Sequence, residues 1–454
     1  MKPGLFSISY IQEILNSPRL KPLTQRIHPT LLLTVAKKVF DDFSREFRSA
    51  ATEWRRPELA ELVDKVFYRL QDALQTAPGL TVNGTGTVFP SFSTGRELWA
   101  PSVVEDMMWE IVGEKNEGDF IDRTTLENRI TMILCRLTDA EDAMIFANPE
   151  LANLAVLQSI TPEREIVVAR RDFYEKKNQT RLENLLQIFG NPRREVGAVN
   201  ALTNEDYLDA CNSHTGIIWM AFGQHSSRFY TRQKLASLRE KSEQLQFPIF
   251  CELDFAPLID LSSYFYEPLP TLADHIATGY DLIQCNGGQL IGGPDCGILL
   301  GTKAAIQRVR SAIFQRYTGA HRVVLTGLLK TLNLYQDADA LTSIPILQTL
   351  STPLANLKNR AERLLPQLAA SPKITDLSIV EGNAELFPKS QLGTMPSWLI
   401  QMRPVSGTPQ ELAATLENQS PTLKVNFNPE KLFLNMKTIS PAYDSLIPEI
   451  FENL

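Results

Sequence analysis

The 454-residue chain is 43% hydrophobic and 21% charged, which is ordinary for a soluble globular protein of two or three domains. It contains no run of about 18 apolar residues and starts without the apolar core of a signal peptide, so we expect neither a membrane span nor secretion. The five cysteines lack Cys-x-x-Cys spacing, which argues against a disulfide framework or a metal site and favours a reducing cytoplasm.

The N-terminal part is predicted to be a helical domain over residues 1–78. Apolar residues recur at three- and four-residue spacing in Tyr10–Leu15, His28–Ser49 and Pro57–Gln75, and Pro78-Gly79 then ends the pattern. The first 75 residues carry 12 basic and 9 acidic side chains in a chain of net charge −7. This small excess favours a solvated helical surface over a nucleic-acid interface.

Residues 79–350 are predicted to form a large α/β domain. Short apolar runs at Glu165–Ala169, Gly216–Ala221 and Phe247–Cys251 are separated by amphipathic stretches such as Thr231–Gln246. Apolar strands that alternate with helices indicate a mainly parallel sheet covered on both faces. Ligands of such sheets bind at the carboxyl ends of the strands.

The remaining residues, 351–454, are predicted to form a small α+β domain. The pattern predicts a helix followed by four strands: Pro353–Leu368, then Ile374–Val380, Trp398–Arg403, Leu423–Phe427 and Leu432–Met436.

A glycine-rich loop follows the strand that begins near Leu282 and precedes another at Ile298. Glycines there let the backbone approach a ligand, or they supply turns with positive φ. On composition alone, the plain turn is favoured.

Several ordered motifs resemble those of the bacterial selenocysteine synthase (L-seryl-tRNA(Sec) selenium transferase) family. They are Val82-Asn-Gly-Thr-Gly-Thr-Val88, Leu137-Thr-Asp-Ala-Glu-Asp-Ala143, Glu195-Val-Gly197 and Gly292-Gly-Pro294. The resemblance spans nearly the whole chain and is firmest over 82–350. It implies the fold of fold-type I pyridoxal-phosphate enzymes, a homo-oligomer built from dimers, and transfer-RNA binding through the N-terminal helices.

The family's cofactor lysine, which forms a Schiff base with pyridoxal phosphate, is matched by Gln289, and the preceding aspartate is matched by Gly288. A primary amide cannot form an aldimine, because its nitrogen lone pair is delocalised. The resemblance therefore implies a cofactor site whose covalent attachment is missing here.

Three further positions are candidate cofactor contacts. Glu252 matches the aspartate that pairs with the pyridinium nitrogen, and local hydrogen bonds at a strand end are its alternative role. Phe222 matches the histidine above the ring, where it could stack or belong to the core. Asn286, like Glu252, is predicted to lie just past a strand, facing the ligand edge.

The anion-binding positions are only partly kept. The family's phosphate turn is replaced by Asn148-Pro149-Glu150, which favours an ordinary capped helix start because proline lacks an N–H and glutamate is negative. Arg96 and Arg316 match two arginines that hold the anionic selenium donor, and surface ion pairs are their alternative role. Gly319 takes the place of a third arginine.

These substitutions together predict a pseudoenzyme that keeps the fold and acts as a binding or scaffold protein without covalent pyridoxal phosphate. The alternative is a transferase that holds pyridoxal or pyridoxamine phosphate non-covalently, with Glu252 on the ring nitrogen and Gln289 bonding the ring.

Overall fold

A computed structural model describes residues 14, 17–20, 38–39, 58–74, 80–90, 99–112, 121–160, 163–173, 182–223, 231–312, 318–337, 340–389, 392–452 and 454. Only Ile14, Lys38 and Val39 of the first two predicted helices are among them, so those two predictions stay untested.

The helices and strands follow each other in the order of an α/β protein. The helices are α1 (Leu59–Leu74), α2 (Pro101–Val112), α3 (Arg123–Thr138), α4 (Pro149–Gln158), α5 (Leu182–Phe189), α6 (Asn204–Ala210), α7 (Arg232–Leu245), α8 (Leu272–Thr278), α9 (Lys303–Ser311), α10 (Arg322–Leu334), α11 (Ala340–Ser343), α12 (Pro345–Ser351), α13 (Leu354–Leu368), α14 (Pro409–Glu417) and α15 (Leu446–Glu452). The strands are β1 (Thr81–Gly84), β2 (Asp142–Phe146), β3 (Glu165–Ala169), β4 (Arg193–Val196), β5 (Thr215–Phe222), β6 (Ile249–Leu253), β7 (Leu282–Asn286), β8 (Gly297–Gly301), β9 (Ile374–Glu385), β10 (Thr394–Pro404), β11 (Thr422–Phe427) and β12 (Leu432–Asn435).

The chain divides into two compact units. One comprises Met1–Thr81 with Ser420–Thr422, and the other comprises Val82–Gln419 with Leu423–Leu454. Helix α1 belongs to the first unit, and Phe222, Glu252, Asn286 and Gln289 belong to the second. Within the described residues, no helix has the length and apolar character needed to cross a membrane.

The larger sheet has seven strands in the order β2-β8-β7-β6-β5-β3-β4. Strands β7, β6, β5, β3 and β4 are parallel, whereas β8 runs antiparallel to both of its neighbours. The predicted mainly parallel sheet is thus confirmed. Its parallel strands end at a common edge, where ligands of such sheets bind.

Strand β5 shows why this sheet is apolar on both faces. Ile218 and Met220 lie in one core cluster, while Ile217 and Trp219 lie in another, because successive side chains of a strand point to opposite faces. A strand that is covered on both sides has no solvent face, so its sequence is a continuous apolar run.

The second sheet has five strands in the order β1-β11-β12-β10-β9. Strands β11, β12, β10 and β9 each run antiparallel to the next. Buried Ile400 and Leu434 pack in one cluster with Leu357 and Leu364 of α13. Helix α13 and these strands confirm the secondary structure predicted for residues 351–454.

Candidate active site

Three neighbouring strands bring candidate residues together near the ligand edge of the larger sheet. The register aligns Ala221 of β5 with Glu252 of β6, and Glu252 with Gln284 of β7. Glu252 lies inside β6 and Asn286 is the last residue of β7, so neither lies past its strand as the sequence suggested. The strand pairing simply continues further than the apolar run.

Glu252 is a buried carboxylate whose two oxygens both accept hydrogen bonds. Asn153 Nδ2 of α4 donates to Glu252 Oε1 at 2.6 Å, and Trp219 Nε1 of β5 donates to Oε2 at 3.3 Å. The Glu252 residue is only 3% exposed. A buried charge needs such partners, and these contacts direct the carboxylate towards α4.

This arrangement fits the structural alternative for Glu252, in which its carboxylate makes hydrogen bonds within the protein. Trp219 also packs edge-on against Phe250, with ring centroids 4.4 Å apart, so its indole N–H is held in place. A ring nitrogen that approached Glu252 would compete with donors that the fold already supplies. Asn153 itself is fully buried, and its Oδ1 has no hydrogen-bond partner among the residues that the structure describes.

The glycine-rich loop is closed by its own backbone. The Gly287 N–H donates to the Cys296 carbonyl at 2.9 Å, and the Gly293 N–H donates to the Gly287 carbonyl at 3.1 Å. A Cβ at Gly287 would collide with the Cys296 sulfur, so this crossing requires glycine. The loop therefore keeps a defined shape.

Gln289 occupies the left-handed backbone region, with φ of 49°. This conformation is uncommon for a residue with a Cβ and costs on the order of 1 kcal/mol. Gln289 is half-buried, and its Oε1 is enclosed without a hydrogen-bond partner in the described part of the chain. The loop thus presents an amide carbonyl that the described residues leave unsatisfied.

Asn286 braces the loop from within. Its Oδ1 accepts from the Gly288 N–H at 2.8 Å, and its Nδ2 donates to Asp295 Oδ1 at 2.5 Å. Both ends of the amide are therefore engaged in shaping the turn around Gln289.

Phe222 packs in an aromatic cluster at the end of β5. It is 3% exposed and meets His275 of α8 edge-on, with ring centroids 4.8 Å apart. Burial lowers the pKa of His275 to about 3, so its imidazole is neutral at pH 7. Sequence reasoning missed His275, because a single histidine in an amphipathic helix gives no signal of its partners.

Asp172 is a second carboxyl group that sequence reasoning missed. It follows β3 and is 3% exposed. The distance from Asp172 Oδ1 to Arg171 Nε is 3.8 Å. Burial raises the pKa of Asp172 to about 7, with a small further increase from Asp254, against the lowering effects of Arg171 and a backbone hydrogen bond from Ala221.

The predicted helix start at Asn148 is confirmed. Asn148 Oδ1 accepts from the Leu151 N–H at 2.8 Å, and Pro149 occupies the first turn of α4. One N–H donor is absent there, and Glu150 adds a carboxylate to the same turn. This helix N-terminus is therefore capped by its own residues, and the lost N–H and the added negative charge both disfavour a bound phosphate.

Two candidate anion-binding residues, Arg96 and Arg316, lie outside the described residues. Gly319 is described, and the Arg123 guanidinium occupies the space that a side chain at position 319 would need. Arg123 also pairs with Glu127, with Nε and Oε1 2.8 Å apart. The contact between Arg123 and Gly319 joins residues that are far apart in the sequence, so the spacing of motifs along the chain does not predict it.

Taken together, these residues do not fit covalently bound pyridoxal phosphate. Position 289 has no amine, Glu252 is bonded within the protein, and the α4 start carries Pro149 and Glu150. Among the residues that the structure describes, no group of three or more acidic, cysteine or histidine side chains could hold a metal ion.

Relatives were found at the level of family, sequence and fold. A family model described as L-seryl-tRNA selenium transferase matches residues 81–440. An L-seryl-tRNA(Sec) selenium transferase of Carboxydothermus hydrogenoformans is 27% identical over 449 residues, which cover 96% of this chain and 94% of that protein. One of Salmonella paratyphi A is 30% identical over 368 residues, which cover 79% and 78%.

The fold also matches a solved structure of D-glucosaminate-6-phosphate ammonia-lyase. The TM-score is 0.60 at 16% identity, over 88% of this chain and 99% of that one. This likeness establishes the fold, that of the fold-type I pyridoxal-phosphate enzymes. With its family model matched over residues 81–440, the chain belongs to the L-seryl-tRNA selenium transferase family.

Proposed function

We propose that this chain is a non-catalytic member of its family, a binding or scaffold protein that carries no covalent pyridoxal phosphate. The observation behind the proposal is Gln289, an amide at the position where the family has its Schiff-base lysine. Condensation with an aldehyde needs an amine lone pair, and an amide nitrogen does not offer one.

The intact loop strengthens this proposal. Its backbone hydrogen bonds and the contact from Asn286 hold residue 289 in a defined place, and the residue held there has no amine. The Asn153 and Trp219 donors to Glu252 support it independently, since they stabilise the carboxylate without any cofactor.

A trapping experiment tests the proposal. The purified chain is incubated with pyridoxal phosphate and reduced with borohydride, and the intact mass is measured beside that of Gln289→Lys. We expect no stoichiometric adduct on the native chain. A one-to-one adduct on any native lysine would overturn the proposal, and the Gln289→Lys variant shows whether an amine at this position can be reached.

The alternative function is non-covalent binding of pyridoxal or pyridoxamine phosphate. It is favoured by one observation, the enclosed Gln289 Oε1, which could accept a hydrogen bond from a ligand amine. Equilibrium dialysis with pyridoxamine phosphate tests it. The alternative requires saturable binding that weakens in Gln289→Leu, and the absence of saturation would exclude it.

For the cellular setting, we propose the cytoplasm and a homo-oligomer built from dimers. The curated relatives are named for transfer RNA(Sec), and transfer RNA is the nucleic-acid partner that we would test first. Specific binding through phosphates would weaken steeply with salt, whereas salt-independent or absent binding would remove this partner.

A further inference from the structure

A small cavity lies at the edge of the larger sheet opposite to the one that carries Asn286. Pro248, just before β6, and Leu282, the first residue of β7, line it together with residues of α7, of α9 and of the end of α4. Its volume is about 190 Å³. Pockets for drug-sized molecules begin at roughly 300 Å³, so this cavity is suited to a smaller ligand.

Arg239 of α7 lines the cavity and is held by two carboxylates. Its Nη1 lies 2.7 Å from Asp281 Oδ1, and its Nη2 lies 3.2 Å from Glu243 Oε1. These two bonds use two of the five N–H donors of the guanidinium. Arg239 is therefore fixed in position, and it keeps donors for a further acceptor.

The carboxylate of Asp281 is already satisfied by the protein. Its Oδ1 accepts from Arg239, and its Oδ2 accepts from the Ile249 N–H at 2.8 Å. The Asp281 side chain is 17% exposed, whereas the Glu243 side chain is 67% exposed and lies in solvent at the rim. The inner part of the cavity thus contains no carboxylate that needs a cation.

Two donors from the region of α9 face the same cavity. Arg308 lines it and makes no ion pair with the residues that the structure describes. Thr302 also lines it, and its Oγ1 accepts from the Ala305 N–H at 3.3 Å, so the hydroxyl hydrogen is available for donation. Two guanidinium groups and a hydroxyl around one small cavity favour an anion, because hydrogen bonds to an ionised acceptor are strong.

The placement of these donors indicates the shape of the anion. Arg239 belongs to α7, whereas Arg308 and Thr302 belong to α9 and its cap, so the donors come from two different elements. A planar carboxylate matches the fork of a single guanidinium. A tetrahedral oxyanion presents oxygens in several directions and can accept from both elements at once.

We propose that this cavity binds a small phosphate-bearing anion between Arg239 and Arg308, with the Thr302 hydroxyl as a third donor. The site goes beyond the proposed function, since it lies at the other edge of the sheet and does not depend on whether pyridoxal phosphate binds. The recognised chemistry is the phosphate group, which inorganic phosphate and phosphate monoesters share.

Isothermal titration calorimetry of the full chain tests the site, in a phosphate-free buffer of constant ionic strength. The probes are inorganic phosphate and glycerol 3-phosphate, and we expect one equivalent to bind with a dissociation constant below about 1 mM. The probe that binds more tightly identifies the source, a free anion or an ester. No saturation by either probe, or tighter binding of the dicarboxylate malonate, would overturn the proposal.

Two substitutions should change the affinity in opposite directions. Arg308→Gln removes the unpaired guanidinium, and we expect the dissociation constant to rise at least about 10-fold. Glu243→Gln removes an exposed carboxylate that competes for Arg239, and the constant should fall about 2- to 5-fold. Arg129→Gln makes the first change at an exposed arginine of α3 and should leave the affinity unchanged.

This pattern separates a binding site from a loss of structure. A damaged fold weakens binding in every variant, so tighter binding in Glu243→Gln is the result that a merely structural role does not produce. Native affinity in Arg308→Gln, or weaker binding in Glu243→Gln, would contradict the proposal. Thermal unfolding of each variant without ligand checks that its fold is intact.

Discussion

Replacing Glu252 by alanine tests whether this carboxylate serves the fold or a ligand. The change removes the carboxylate oxygens that accept from Asn153 Nδ2 at 2.6 Å and from Trp219 Nε1 at 3.3 Å. Glu252 is only 3% exposed, so water cannot easily replace them. Hydrogen bonds to a charged group contribute roughly 1.5–3 kcal/mol each, so we expect the free energy of unfolding to fall by about 4 kcal/mol.

Urea unfolding followed by circular dichroism and tryptophan fluorescence measures this change. Glu252→Gln keeps an oxygen for Asn153 but turns an amide N–H towards Trp219, so we expect about half of the loss. Glu381→Ala, at an exposed glutamate, serves as the control and should change stability by less than about 0.5 kcal/mol.

A double-mutant cycle between Glu252→Ala and Asn153→Ala isolates the shorter contact. We expect a coupling energy of about 1–3 kcal/mol, because the two side chains touch directly. If Glu252→Ala unfolds with native stability, the carboxylate is not held by these bonds, and the reasoning that assigns it to the fold is refuted.

Three further results are expected. Because burial raises the pKa of Asp172 from 3.8 to about 7, its contribution to the free energy of unfolding should fall by up to about 4 kcal/mol as pH rises from 4 to 7. Urea titrations of the native chain and of Asp172→Asn should differ by this amount over that range, and equal pH dependence would contradict it. Burial lowers the pKa of Lys437 from 10.5 to about 8, so the free energy of unfolding of the native chain should rise by about 3 kcal/mol relative to that of Lys437→Met as pH rises from 8 to 10.5. Unfolding free energies of the two chains that change in parallel over this range would contradict this. Asn148→Ala should lower the melting temperature by removing the α4 cap, at a cost of about 1 kcal/mol, and an unchanged value would show that the cap is dispensable.

The secondary structure that sequence predicted well is local in origin. Strand β3 has the predicted bounds, Glu165–Ala169, because a short apolar run between polar residues marks a strand buried on both faces. The Asn148 cap was also predictable, since a cap bonds only three residues ahead.

The environment of Glu252 was not predictable in the same way. Its partner Asn153 is 99 positions away and Trp219 is 33 away, so only the sheet register and the packing of α4 bring them together. The αL backbone of Gln289 was equally hidden, because this conformation is usually a property of glycine.

Exposure was the other property that spacing could not give. Val104, Met108 and Val112 of α2 recur every four residues and are exposed, and such periodicity alone does not tell which side of a helix faces the core. The pairing of Glu110 with Arg322 decides it in the structure, and this contact joins residues 212 positions apart.

We propose that this chain keeps the family fold without pyridoxal phosphate chemistry. The most direct measurement is the amount of pyridoxal phosphate retained by the native chain after saturation and exhaustive dialysis, with and without borohydride reduction. We predict far less than one equivalent in both arms and no visible aldimine absorption. One retained equivalent per chain, whether reduced onto a lysine or released on denaturation, would contradict the claim.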